Sequence, residues 1–336
     1  MSDASLSTHG APAASTPGFR HILYPYAGIR QYVVGVLSYL DQARAGGATV
    51  IVAVHEERHR LLREQLPDDG TVAFVDLAAL GGNPGRLIPA WQDWIGRRGR
   101  DGAVHGVSES AWSGRTAAQL SELRYHEWLL NRAFAQAPAW SLLCPYDTNG
   151  QPPGAERTLA RYHPLLWNGE ASVAGQHYAD EPYAFEPFEE RHDLYDEMPY
   201  ALGTLPTLRA YVYGWATVHG MSTQRVRDLV LAASEIASNS VRHGGGRGTL
   251  RAWVQDGSLV CEFHDTGVIT DPLVGRIRPT ASQLGGCGLW FTHQLCDLVE
   301  IRSDNHSGTR VRLHMDLRVD AKSRSAGEHQ SKTADG

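Results

Sequence analysis

The chain is short of cysteine, has no long hydrophobic run and carries no excess of basic charge. Its four cysteines, Cys144, Cys261, Cys287 and Cys296, show no paired metal spacing. They lie in or beside apolar segments, the pattern of buried free thiols, and suit a reducing cytoplasm, the expected location. No apolar stretch approaches the length needed to cross a bilayer, and the first 17 residues lack the basic start and apolar centre of a signal peptide. No membrane association is expected. With 31 Lys and Arg against 37 Asp and Glu, the formal charge is −6. That argues against direct binding of nucleic acid, which needs a basic face. Internal repeats and a Gly-x-x-x-x-Gly-Lys-Ser/Thr phosphate loop are absent as well.

At 336 residues the chain is long enough for two domains, each with a core. The Ser/Ala/Thr/Pro-rich stretch 1–17 and the polar stretch 319–336 read as disordered tails. Residues 168–199 are rich in acids, prolines and aromatics. Pro182, Pro187 and Pro199 interrupt any helix there, so the segment reads as a connection between domains. Its Tyr183, Phe185, Phe188 and Tyr195 are expected to dock on a neighbouring domain.

The chemistry concentrates between residues 235 and 309. Four short motifs follow in order: Glu235-Ile236-Ala237-Ser238-Asn239, Asp265-Thr266-Gly267, Gly285-Gly286-Cys287-Gly288-Leu289, and Gly308-Thr309. Ser222 is a suitable N-cap, and Val226, Leu229, Val230, Ala233, Ile236, Ala237 and Val241 recur at helical spacing as one apolar stripe. At about 100° per residue, Asp228, Glu235, Asn239 and Arg242 fall on the opposite side, free to face a ligand or simply solvent. The glycines at 244–246 end that helix.

Downstream, strands over 250–255 and 259–264 flank Asp256-Gly257, a tight-hairpin pair. The carboxylate of Asp265 can accept a purine amine, and Gly267 lets the chain pass close to a base. The turn 284–288 opens an apolar helix over 289–298, where backbone N–H groups can hold phosphates, although a plain tight turn has the same sequence. Strands are predicted at 299–302 and 309–315.

Residues 195–318 resemble the GHKL superfamily of ATPases, and most closely the anti-sigma-factor serine kinases. The resemblance implies a GHKL (Bergerat) α/β sandwich over 200–318 that binds ATP and Mg2+. It implies Asn239 as the magnesium ligand, Asp265 on adenine, Gly267 shaping the base pocket, and Gly285, Gly286 and Gly288 as phosphate loop or lid. It further implies that Thr309 supports the adenine contact and that Glu235 is the general base that takes the proton from a substrate hydroxyl. The implied partners are a sigma factor and an anti-sigma-factor antagonist; related kinases often form homodimers. One departure stands out: where the family's second box reads Asp-x-Gly-x-Gly, this chain has Ile269 in place of the second glycine. A β-branched residue resists a positive φ, so the loop is expected to run differently. The alternative reading is a non-catalytic module that senses a ligand and sequesters a protein partner. A histidine kinase is disfavoured, because neither His126-Glu127 nor His192-Asp193 sits in a long two-helix hairpin.

The region 18–167 alternates in type. Buried strands are predicted at 49–54, 71–77, 103–107 and 139–144, with helices at 56–66, 86–97 and 116–136, hence a mostly parallel sheet covered on both faces. Such sheets hold ligands at the carboxyl ends of their strands, where the chain offers His55, Asp76, Ser108, Glu109 and 144–147. This half resembles the MEDS sensory domain, related in fold to the RecA-like ATPases, through His21-Ile22-Leu23-Tyr24-Pro25-Tyr26, 72–80 with Asn83-Pro84, 106–112 and 140–147. The resemblance implies a small-molecule ligand. His21, Tyr24, Glu109, Cys144 and Asp147 are the pocket candidates, each weighed against capping a strand or satisfying a buried backbone group.

Overall fold

The computed structural model describes residues 18–67, 69–80, 82–98, 103–110, 115–137, 139–149, 151, 154–188, 197–279 and 286–317. Both expected tails, together with Trp112, His192, Asp193, Tyr195 and Gly285, lie outside the described residues.

Two sheets organise the molecule. The first has seven strands: β1 (Phe19–Tyr26), β2 (Thr49–Val54), β3 (Val72–Asp76), β4 (Val104–Ser108), β5 (Trp140–Asp147), β6 (Leu165–Trp167) and β7 (Ser172–Ala174), in the order β3-β2-β4-β5-β1-β6-β7. Every pairing is parallel except β6 with β7. Parallel strands need crossovers, and these are α1 (Ile29–Ala45), α2 (Glu56–Arg63), α3 (Leu87–Arg98), α4 (Ala117–Ala133) and α5 (Ala155–Ala160). The alternation of side chains along β1 and β5 decides which face each helix covers. Ile22, Tyr24, Tyr26 and Leu143 pack with Tyr32, Val36 and Leu40 of α1, whereas Leu142 and Cys144 pack with Leu129 of α4 and Trp91 of α3. A capping box starts α4, with Thr116 Oγ1 accepting from the backbone of Gln119 at 3.2 Å and Gln119 accepting from the backbone of Thr116 at 3.0 Å.

The second sheet is antiparallel throughout: β8 (Met198–Ala201), β9 (Arg247–Gln255), β10 (Ser258–Asp265), β11 (Leu298–Asp304) and β12 (Gly308–Asp316), in the order β11-β12-β10-β9-β8. One face buries α6 (Leu205–Val218), α7 (Thr223–His243) and α8 (Gly288–Leu295), through Leu208, Val226, Leu229, Ile236, Phe263 and Leu313 among others. The apolar stripe of α7 drives that burial. The hairpin between β9 and β10 turns at Asp256 and Gly257 with φ 51° and 77°, the two positive values a two-residue turn requires. The fold is therefore mixed α/β, a mostly parallel sheet followed by an antiparallel sheet with helices packed on it.

The two halves meet over a polar seam. Arg276 and Arg302, from the second half, bind the fully buried Glu122 of α4 at 2.6 and 2.8 Å. Asn83, which caps a short 3₁₀ turn, and Arg86, which ends it, reach the backbone oxygens of His293 in α8 and of Cys296 just after it. Tyr183 and Phe185 pack around Tyr125 of α4, while Phe188 lies under the Arg312 guanidinium at 3.9 Å.

Candidate functional site

Helix α7 ends where β10 ends, and that coincidence builds the C-terminal cleft. Asn239, Asp265, Gly267, Ile269, Leu289 and Thr309 line it. Asp265 is oriented by the Gly267 N–H, which donates to its Oδ1 at 2.8 Å. Thr309, on β12, donates to the Gly267 carbonyl at 2.8 Å and shares a hydroxyl contact of 2.7 Å with Ser303. Ser303 in turn accepts the Ile269 N–H at 2.8 Å. The segment after Asp265 is thus pinned at two points to the β11–β12 hairpin.

Glycines set how closely these pieces approach. A Cβ on Gly244 would fall 2.3 Å from the Asp265 carboxyl carbon, and one on Gly308, at φ 77°, would fall 2.2 Å from the Asp265 backbone oxygen. At Gly267 the constraint is space rather than φ: a Cβ would meet the His243 oxygen at 2.7 Å. Ile269 has no positive φ and packs against the core, so this stretch accommodates the missing second glycine without strain. Glu235, one turn before Asn239, faces the start of α8, where a Cβ on Gly288 would lie 2.4 Å from its Oε2. The structure therefore brings Asn239, Asp265, Gly267 and Thr309 around one cleft, with Glu235 and Gly288 beside it. Gly286 lies two residues before α8 with φ 80°. The cleft is narrow, about 60 Å³. An aspartate held by one amide with its face kept open by glycine fits an adenine amine, and the half-buried Asn239 amide fits a metal-bound phosphate.

A second cleft of about 460 Å³ opens at the carboxyl ends of the parallel strands, lined by Tyr26, His55, Arg58, Asp76, Glu109 and Asp147 among others. This is the size and place of a ligand site in such a sheet. The Tyr26 hydroxyl donates to Glu109, and Arg58 Nε donates to its other oxygen at 3.0 Å. Burial raises the Glu109 carboxyl above its ordinary range, against the pull of these two donors. Burial, with the Glu109 charge adding to it, raises the Tyr26 phenol too.

Of the sequence candidates, His55, Asp76, Glu109 and Asp147 line this cleft. Tyr24 does not: it packs against α1 at Gly35 and donates to the Gln31 carbonyl at 2.6 Å. His21 and Cys144 point to the α4 side of the sheet, where they meet Glu127 and His163. Tyr26, His163 and Glu127 were not singled out by sequence as site residues. They come from separate elements, so no local spacing links them; the aromatic-rich strand around His21 gave the one hint, at Tyr26.

Comparison with known proteins follows the same division. The model of the MEthanogen/methylotroph, DcmR Sensory domain (MEDS) matches residues 20–164, and that of the histidine kinase-like ATPase domain matches residues 198–315. No curated protein matches the chain. Among solved structures, a chain in the crystal structure of the SiaB-SiaC complex from Pseudomonas aeruginosa is 8% identical, with 35% of this chain and 88% of that one covered and a TM-score of 0.27. A likeness that faint carries no functional argument. Among the described residues, no helix is long and apolar enough to cross a membrane. The chain joins an N-terminal MEDS sensory domain to a C-terminal histidine kinase-like ATPase domain.

Proposed function

We propose that this protein is a signalling regulator whose sensory domain controls a serine/threonine kinase acting on an anti-sigma-factor antagonist, with a sigma factor as the sequestered partner. The observation that carries the reading is the convergence of Asn239 on α7, Asp265 on β10 and Thr309 on β12 around one cleft, with Glu235 a turn away. Asn239 would hold the magnesium ion, and Asp265 would accept the adenine amine on the loop that Thr309 pins. Magnesium ATP supplies the phosphoryl group. The Glu235 carboxylate would take the proton of a serine or threonine hydroxyl as that oxygen bonds to the γ-phosphorus and ADP leaves.

Control by the first domain needs a physical link, and the seam supplies one. The Asn83 and Arg86 side chains hold the C-terminal end of α8, whose other end carries Gly288 against Glu235. A small molecule in the Glu109/Asp147 cleft changes the kinase to the extent that it binds its two states unequally.

A second reading, a non-catalytic module that sequesters a partner, is favoured by the narrow cleft of about 60 Å³. Transfer of labelled phosphate from ATP to a candidate antagonist separates the two. The kinase reading expects transfer that falls at least ~100-fold in Glu235→Ala while ATP binding survives. Equal rates in wild type and Glu235→Ala would remove Glu235 as the base, and no transfer by a protein that binds ATP would favour the second reading.

A further inference from the structure

On the α4 side of the parallel sheet, four ligand-bearing side chains converge: His21 from β1, Cys144 from β5, Glu127 from α4 and His163 from the turn after α5. All four are buried, and their ligating atoms lie within 4.8 Å of one another. Individual separations are 3.1 Å from His21 Nε2 to Glu127 Oε2, 3.5 Å from His163 Nε2 to the same oxygen, and 3.4 Å from Cys144 Sγ to His21 Nε2.

Outer hydrogen bonds fix which atoms face inward. Asn131 donates its amide nitrogen to the Tyr162 carbonyl at 2.7 Å, so its oxygen is the atom facing His21 Nδ1 at 3.2 Å. That nitrogen therefore carries the proton. His163 Nδ1 lies 2.8 Å from the Leu159 carbonyl, which can only accept, so it is protonated as well. In the neutral form of each ring Nε2 is then a lone pair aimed at the Glu127 carboxylate, the form that binds a metal ion. Ser110 donates to the other carboxylate oxygen at 3.2 Å, leaving Glu127 Oε2 to the histidines. His163 Nε2 is buried with no hydrogen-bond partner. The Cys144 thiol has one proton to offer, 3.4 Å from His21 Nε2, so two lone pairs and a carboxylate remain short of donors in a buried space, a set that a cation among them would satisfy.

We propose that His21, Glu127, Cys144 and His163 form a binding site for a zinc-class divalent ion. Bond lengths of ~2.0–2.3 Å in a tetrahedral site put neighbouring ligand atoms about 3.3–3.6 Å apart, close to these three separations, and the other pairs lie within 4.8 Å. Imidazole, thiolate and carboxylate together suit zinc and disfavour magnesium or calcium. The outer partners Asn131, the Leu159 carbonyl and Ser110 are of the kind that orient metal ligands. Binding would release the Cys144 thiol proton to solvent as the S–metal bond forms. With four protein ligands the site is closed, so its role is to tie strands to helix rather than to activate water. Helix α4 also carries Glu122 into the seam, which gives such a tie a route to the ATPase half.

The test is metal analysis of the untagged full chain, with Co2+ titration after metal stripping. The site predicts about one zinc per chain and one saturable Co2+ site with thiolate-to-cobalt absorption. Cys144→Ser should abolish that absorption, and Asn131→Ala, which spares all four ligands, should weaken binding ~10–100-fold. If Cys144→Ser does not fold, X-ray absorption on the wild-type complex serves instead, with a sulfur neighbour beside nitrogen or oxygen expected in the metal shell. No saturable binding to the folded wild type, a metal shell without sulfur, or undiminished thiolate absorption in Cys144→Ser would overturn the assignment.

Discussion

Asn83 donates its side-chain amide to the backbone oxygen of His293 at 2.9 Å, joining residues 210 positions apart. It also reaches the Cys296 oxygen at 3.2 Å, and Arg86 donates to the same two oxygens at 2.8 and 2.7 Å. These are among the orphan carbonyls that every helix leaves at its C-terminal end, here satisfied by side chains of the other domain. Because the two donors share acceptors, either can partly stand in for the other. Asn83→Ala alone should cost about 1 kcal/mol, and the double change with Arg86→Ala should exceed the sum of the singles by ~0.5–3 kcal/mol. Urea unfolding of the four proteins measures this, and strict additivity would show that the two contacts are independent.

Glu122 is the anionic centre of the seam, with side-chain exposure of 0% against 2% for Arg276 and 11% for Arg302. Glu122→Gln keeps the shape, takes the carboxylate from Arg276 and leaves Arg302 with Glu300 at 3.6 Å. A loss of ~3–5 kcal/mol is expected from breaking a buried pair by removing one partner. A change below about 1 kcal/mol, the range of exposed pairs, would mean that water reaches the seam.

His293 gives the seam a pH dependence. Burial, with the nearby Arg276 and Arg86 charges adding to it, holds its pKa well below the ordinary histidine value. Its folded pKa lies below the unfolded value, so as pH falls below ~6.5 the unfolded chain takes up the proton first and stability declines. The contribution is complete above that pH. His293→Gln should therefore flatten the stability curve between pH ~6.5 and ~5, by up to about 1.4 kcal/mol per pH unit. Parallel curves for the two proteins would contradict the assignment.

Gly244 tests the nucleotide cleft by sterics alone. Its φ of −101° suits any residue, yet a Cβ would fall 2.3–2.7 Å from the Asp265 carboxylate. Gly244→Ala should keep the fold, displace that carboxylate and weaken ATP binding at least ~tenfold, equivalent to about 1.4 kcal/mol. Unchanged affinity would show that Asp265 does not hold the base.

Much of the C-terminal half was legible because its signals are local. The apolar stripe of α7 and the Asp256-Gly257 turn lie within single elements, and periodicity reads them directly. In the N-terminal half the interior strands announced themselves as apolar runs, but β1 and α1 did not. Strand β1 carries Arg20, His21 and Pro25, and α1 contains Gly35 together with Val33, Val34 and Val36, a poor helical sequence. Gly35 is there because Tyr24 packs where a side chain would go, a tertiary reason invisible locally. The same limit hid Glu127 and His163: β1, β5, α4 and the turn after α5 each contribute one group to that cluster, and no spacing foretells it. His126-Glu127 drew notice only as a phosphoacceptor motif. Its histidine is buried within α4, and its glutamate faces His21.

Calorimetric titration of ATP with magnesium into wild type and Asn239→Ala measures whether the α7/β10/β12 cleft binds magnesium ATP. Saturable binding to the wild type is expected, weakening at least ~tenfold, about 1.4 kcal/mol, in the variant. No binding to the folded wild type, or equal affinity in both proteins, would contradict it.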